Sequence, residues 1–224
     1  MPLSSALVQA FINHPLGLCG QHDPAKSVAG VDPIEHRLNI LTFGAVLDAK
    51  HLNPERWSAL AGLHDLWLFD PTQAAYQSSA QILTSMQQLH IAGPKHIARV
   101  WWQVCRGVQG RFKGSWRGLL KANDDNVHTL LNYLQQSQTT FPVLSGPVIS
   151  ARWLDLVHRA GGVPLAGWDA LSVPLPPHQE EAARKFGIAE DMVHPVVSSA
   201  LEVWSGACQG SPAGSCGLAE CPGK

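Results

Sequence analysis

The residues best able to do chemistry fall in four places along the 224-residue chain. Cys208, Cys216 and Cys221 put three thiols into the last seventeen residues, and five cysteines in all is an odd number, so the cluster suits a metal site better than a disulfide framework. The second place is cationic. No acidic residue occurs between Asp70 and Asp124, while Lys95, Arg99, Arg106, Arg111, Lys113, Arg117 and Lys121 supply seven positive charges. Gly110, Phe112, Gly114, Trp116 and Gly118 interleave with the last four cations, and small residues beside cations permit close approach to a phosphate backbone. A solvated face neutralised by acids elsewhere in space is the alternative for that segment.

Third, Phe141-Pro142-Val143-Leu144-Ser145-Gly146-Pro147 is a glycine-containing turn between two amphipathic stretches. Backbone N–H groups at such a turn and at the start of the next helix can hold a phosphate oxygen without reading base sequence, although any helical hairpin uses a similar turn. The fourth place runs from residue 155 to 178. Asp155 and His158, three apart, can pair as base and orienter, or serve as satisfied core groups. Asp169 follows Trp168, and burial against an indole would raise its pKa; a cap or turn role is the alternative. Trp101, Trp102, Trp116 and Trp153 are either core material or surfaces on which an extruded base would stack.

Helices must position these groups. Ile34, Leu38, Leu41 and Ala45, with Ile40 and Phe43, repeat with helical period behind Asp32 and Pro33, which suit N-cap and N1 positions. A second stripe, Ile82, Met86 and Leu89, ends before Gly93-Pro94, and Ile97, Val100, Trp101, Val104, Cys105 and Val108 predict a helix that stops at Gly107 and Gly110. Val127, Leu130, Leu131 and Leu134 predict another, capped from Asn123, Asp124 or Asp125, followed by helices over 148–157 and 196–204. No run alternates cleanly as a strand. Residues 159–178 hold three glycines and four prolines, which exclude a continuous helix; Val163, Leu165, Trp168, Leu171, Val173 and Leu175 make the segment an ordered loop packed on a core.

Composition agrees with a compact helical globule. Charged residues are only 15% against roughly 25% in an average chain, while hydrophobics reach 45% with eight tryptophans, which excludes a disordered or coiled-coil protein. The net charge of −1 requires any polyanion-binding surface to be local. The apolar run from Ala6 to Ile12 is too short to span a bilayer and no cation precedes it, so the expectation is a cytoplasmic protein without a membrane partner.

Several of these motifs, taken in order, resemble the endonuclease III-like branch of the helix-hairpin-helix DNA glycosylase superfamily. They are the helix ending at Ile91-Ala92-Gly93, the turn Gln109-Gly110-Arg111-Phe112, Leu119-Leu120, Leu144-Ser145-Gly146, the helix to His158 and Val173-Pro174-Leu175-Pro176-Pro177-His178. The resemblance covers about residues 80–224, and the phrases Leu-Ser-Gly-Pro and Val-Pro-Leu-Pro are similar to a subgroup with a terminal iron-sulfur cluster loop. It implies an all-α, two-lobed helical bundle with a helix-hairpin-helix motif. One lobe would span 52–185, and the other would combine 1–51 with 186–224. It also implies a duplex DNA partner, with Ser145, Gly146, Arg152, Arg111 and Lys113 on the phosphates, and a function in base excision repair.

The family's lysine nucleophile would fall at Val148 or Ser150, and Pro176 stands where its catalytic aspartate would be, which leaves His178 as the matching residue. The implied enzyme is a monofunctional or altered DNA glycosylase without Schiff-base lyase activity, with Asp169 and His178 as catalytic candidates, or a binder without catalysis. The implied cofactor is a [4Fe-4S] cluster on Cys208, Cys216 and Cys221, with zinc or no metal as alternatives; a fourth ligand would come from Cys19, Cys105, His194 or outside the chain. Two other readings remain: a hydrolase of free nucleosides or nucleotides on the same fold, and a non-catalytic helical interaction module.

Overall fold

A computed structural model describes residues 6–13, 24–47, 54–91 and 95–207. The architecture is all-α. In chain order the helices are α1 (Ala6–Asn13), α2 (Pro24–Val28), α3 (Ile34–Leu47), α4 (Pro54–Ala61), α5 (Pro71–Ala74), α6 (Ser79–Gln88), α7 (Lys95–Phe112), α8 (Trp116–Lys121), α9 (Val127–Gln136), α10 (Pro147–Arg159), α11 (Glu180–Lys185) and α12 (Pro195–Ala207). Among the described residues the one sheet is a two-residue antiparallel pair, β1 (Val173–Pro174) with β2 (Met192–Val193), in which Val173 opposes Val193.

Helix α3 is the axis of the fold. Every residue from Leu38 to Leu47 is buried, so the helix has no solvent face beyond its first turn, and α4, α7, α8 and α10 pack around it. Of its buried polar groups, Thr42 Oγ1 donates to Leu38 O at 2.7 Å and accepts from Trp153 Nε1 of α10 at 2.9 Å, whereas Asn39 Oδ1 makes no hydrogen bond. The buried apolar side chains form one cluster that includes residues of α1, α3, α7, α10 and α12.

The first turn of α3 also starts α8. Glu35 accepts from Ser115 Oγ at 2.6 Å, Trp116 N at 3.0 Å and Arg117 N at 3.1 Å, while Ser115 Oγ caps the helix by accepting from Gly118 N at 2.8 Å. A carboxylate on three donors at a helix start is favourable both as hydrogen bonding and against the positive end of the helix dipole.

The predicted helices over 34–47 and 127–136 have the expected bounds, whereas two details differ. Helix α7 runs through Gly107 and Gly110 to Phe112. Gly107 is an interior packing position, since a Cβ there would lie 2.3 Å from Thr140 Cγ2. The cap of α9 is Asn126, whose Oδ1 accepts from His128 N and Thr129 N. Asp124 and Asp125 precede it in left-handed backbone conformation, with φ of 59° and 47°, and Asn123 Nδ2 instead closes α8 on Leu119 O. The 160–178 loop is packed as expected: Val163, Leu165, Leu171 and Val173 are buried, and Ala166 is tied to the start of α9 by Val127 N to Ala166 O and Ala166 N to Asp125 O.

Trp57 of α4 lies against Gly44, where a Cβ would be 2.2 Å from the indole ring. Both residues are buried, so Gly44→Ala should lower unfolding stability by about 1–3 kcal/mol through overpacking. Urea denaturation checks this, and an unchanged midpoint would contradict the packing described.

Candidate nucleic-acid interface

Lys95, Arg99, Trp102, Arg106 and Gly110 follow one another on α7 at intervals of three or four residues, so they share one face of the helix. Lys95, Arg99, Arg106 and Gly110 are exposed and Trp102 is half-buried, while Ile97, Ala98, Trp101, Val104, Cys105 and Val108 on the other side are buried. At 1.5 Å per residue the stripe is about 22 Å long. Its components are held in place. Trp102 Nε1 donates to Gln77 O at 2.8 Å, and the Arg106 guanidinium lies 4.8 Å from the centroid of the Trp102 ring.

The C-terminal end of α7 adjoins the hairpin turn. Gly107 meets Thr140, and Arg111 Nη1 donates to Tyr133 Oη of α9 at 2.9 Å and to Ser137 Oγ at 3.3 Å. Lys113, exposed and with φ of 53°, carries the chain out of the helix. Arg117, in contrast, is engaged by both oxygens of Asp125 and is no free cation.

The turn itself is tied internally. Ser145 N donates to Phe141 O at 2.8 Å, Gly146 N to Val143 O at 3.1 Å, and Ser145 Oγ to Pro142 O at 3.0 Å. The amides of Ser145 and Gly146, expected to hold phosphates, are therefore occupied by the turn's own carbonyls. What the hairpin presents is the start of α10: Gly146 brings no capping side chain and Pro147 no N–H, so Val148 and Ile149 carry the first-turn donors. Arg152 is also placed differently from expectation, half-buried with Nη2 donating to Ser198 Oγ of α12 at 3.3 Å.

A second polar cluster closes the other end of α10. Asp155 is buried and receives a bidentate contact from Arg159, with Nε at 3.0 Å from Oδ1 and Nη2 at 2.6 Å from Oδ2, and a bond from Trp168 Nε1 at 3.0 Å. Asp155 thus pairs with Arg159 and Trp168 rather than with His158. The His158 ring stacks on Trp168 with centroids 4.4 Å apart and planes 6° apart, and its Nδ1 accepts from Leu165 N at 3.0 Å. His194 approaches Trp168 edge-on; Nε2 bonds Trp168 O at 2.9 Å and Nδ1 accepts from Val196 N at 3.2 Å. Burial holds both imidazoles below their ordinary pKa, against the opposing pull of Asp155.

Neither catalytic candidate is in that cluster. Asp169, in a 3-10 turn Trp168–Ala170, is exposed rather than buried against the indole. His178 is exposed in the turn Pro177–Gln179 and pairs with Glu202 at 2.8 Å, and Gln179 bonds the same carboxylate while accepting from Ser198 Oγ. The three terminal cysteines and Cys19 lie outside the described residues. Of the suggested fourth ligands, Cys105 is fully buried in the core with its thiol pushed well up in pKa by that burial, and both nitrogens of His194 are engaged. Neither fits an iron-sulfur cluster or a zinc ion shared with the tail. No protein-family model, curated protein or solved structure matches the chain.

Asp155 and Arg159 are four apart on one helix, which is the spacing that would have found their pairing from sequence. Replacing Asp155 by Asn should break its enclosed ion pair with Arg159 and destabilise the fold by about 3–5 kcal/mol, read from denaturant unfolding; a loss within error of zero would show the pair to be dispensable.

The histidines give a pH dependence. Their folded pKa values are depressed, so below the ordinary imidazole value of about 6.5 the unfolded chain binds more protons than the folded one. Stability should therefore fall as pH drops below about 6.5 and be flat just above it. His194→Gln keeps one donor for Trp168 O and one acceptor for Val196 N without titrating, and should reduce that slope in unfolding measured across the range; an identical slope would rule His194 out as a contributor.

Proposed function

We propose that this protein binds the phosphate backbone of duplex DNA without reading base sequence, in the manner of a base-excision-repair protein. The observation that carries the reading is the exposed stripe of Lys95, Arg99 and Arg106 along one face of α7, with no acidic residue on the helix, continuing to Arg111 and Lys113 where α7 meets the helical hairpin. A chain of net charge −1 has no general attraction for polyanions, so a segregated cationic face of this length is a local feature. Gly110 keeps part of the stripe low enough for a backbone to approach closely, and the start of α10, which has no side-chain cap, offers N–H donors where the hairpin turn ends.

Binding is better supported than base release. Pro176 cannot accept a proton, Asp169 is exposed on a single turn, and His178 is already committed to Glu202.

The test is duplex binding measured against salt. The triple variant Lys95→Glu, Arg99→Glu, Arg106→Glu changes only exposed side chains, so it should keep the helical signal of the parent. The slope of log affinity on log salt should become shallower by about 3, near 0.9 for each phosphate that is no longer neutralised. A variant with the affinity and salt slope of the parent would overturn the assignment.

A further inference from the structure

We propose that His36, His64 and Asp65 form a binding site for one divalent transition-metal ion of the zinc type, with a ligand set that uses none of the terminal thiols. His36 lies in the first turn of α3, His64 and Asp65 lie in the turn after α4, and the two helices pack together. A single oxygen, Asp65 Oδ1, is 3.2 Å from His36 Nδ1 and 3.1 Å from His64 Nε2, and the three ligand atoms all lie within 4.8 Å of one another. Nitrogen and oxygen donors held about 2.0–2.1 Å from a tetrahedral ion sit roughly 3.3 Å apart. Two edges of such a tetrahedron are therefore already at about the right length.

The protonation of His64 points the same way. Its Nδ1 is 2.9 Å from Ala61 O, and a carbonyl oxygen can only accept, so Nδ1 carries the hydrogen. In the neutral ring Nε2 then presents a lone pair to a carboxylate oxygen that is itself an acceptor. The His64 Nε2 lone pair and the Asp65 oxygen, 3.1 Å apart, face one another as two donors to one ion would. His36 adds a third donor. Its Nδ1 is buried and makes no hydrogen bond although the same Asp65 oxygen is close, so the distance is short but the alignment for a shared proton is absent. A metal ion placed among the three atoms uses the lone pairs of both rings and the carboxylate together.

The surroundings fit. A carbonyl on the far nitrogen of a ligating imidazole fixes its tautomer and orientation, which is what Ala61 O does for His64. Among the described residues no Lys or Arg pairs with Asp65. The neighbouring carboxylates are committed elsewhere: Glu35 to the start of α8, and Asp70 to Thr72 and Gln73. Two imidazoles and one carboxylate are a donor set of open zinc and related sites, and Asp65, with its side chain 75% exposed, leaves the fourth position to solvent.

The full-length chain, stripped with chelator, would be titrated with Co2+ and followed by visible d–d absorption and by thiolate-to-cobalt charge transfer in the near ultraviolet. The expected result is one Co2+ per chain that gives d–d absorption without thiolate charge transfer and is displaced by Zn2+. It should persist in the triple variant Cys208→Ser, Cys216→Ser, Cys221→Ser. Asp65→Asn and His64→Gln should each weaken it by at least the roughly 10–100-fold that outer-shell losses cost; Asp65 is exposed, so an unchanged helical signal verifies folding. Cobalt bound only with thiolate charge transfer, no binding at all, or affinity unchanged in both variants would overturn the site.

Discussion

A helix with no solvent face has to be enclosed on every side, and that requirement on α3 organises the rest of the protein. Ten consecutive buried residues, Leu38 to Leu47, leave no direction in which the helix could be exposed without losing apolar burial. Each surrounding element answers a specific group on it: Trp153 of α10 donates to Thr42, and Trp57 of α4 fills the space above Gly44. Only the first turn reaches the surface. There Glu35 starts α8 and His36 meets the turn after α4, so the one end of α3 that can be polar links three separate stretches of chain.

Helix α10 has the opposite character, joining two polar regions through an apolar middle. Its start follows directly on the hairpin turn, and its C-terminal part holds Asp155 and Arg159 against the 160–178 loop. Trp168 fixes that loop through its indole N–H on Asp155, its ring face on His158 and its carbonyl on His194. A glycine- and proline-rich segment without a helix of its own is thereby given a defined path, and the short pairing of β1 with β2 and the bond from Val127 N to Ala166 O extend it.

Local features of this fold were legible in the sequence, and non-local ones were not. The apolar period behind Asp32-Pro33 located α3, and the acid-free run of seven cations marked the segment that holds α7, but not that Lys95, Arg99 and Arg106 share an exposed face. Gly107 misled because glycine within a periodic stretch reads as a stop, whereas here it admits Thr140 from a distant turn. The pairing of Glu35 with Ser115 joins residues eighty positions apart, so no local pattern could signal it. The same holds for His36 beside His64 and Asp65. A turn motif such as Leu144-Ser145-Gly146 names groups that can donate, but not whether the turn consumes them, and here Phe141 O and Val143 O do so. For Asp169, adjacency to Trp168 in sequence suggested burial, but a 3-10 turn points successive side chains apart, and only the tryptophan faces the core.

The acid-free stretch from residue 71 to 123 sets the charge distribution of the whole protein. All seventeen acidic residues lie outside it while seven of the sixteen cations lie within it. Glu35 and Asp125 fold back onto the start of α8, so the charge left locally unbalanced includes that of the exposed Lys95, Arg99 and Arg106 on α7. A near-neutral protein with such a face has a positive potential on one side without a net attraction for anions, and dissolved ions confine that potential to within about 10 Å of α7.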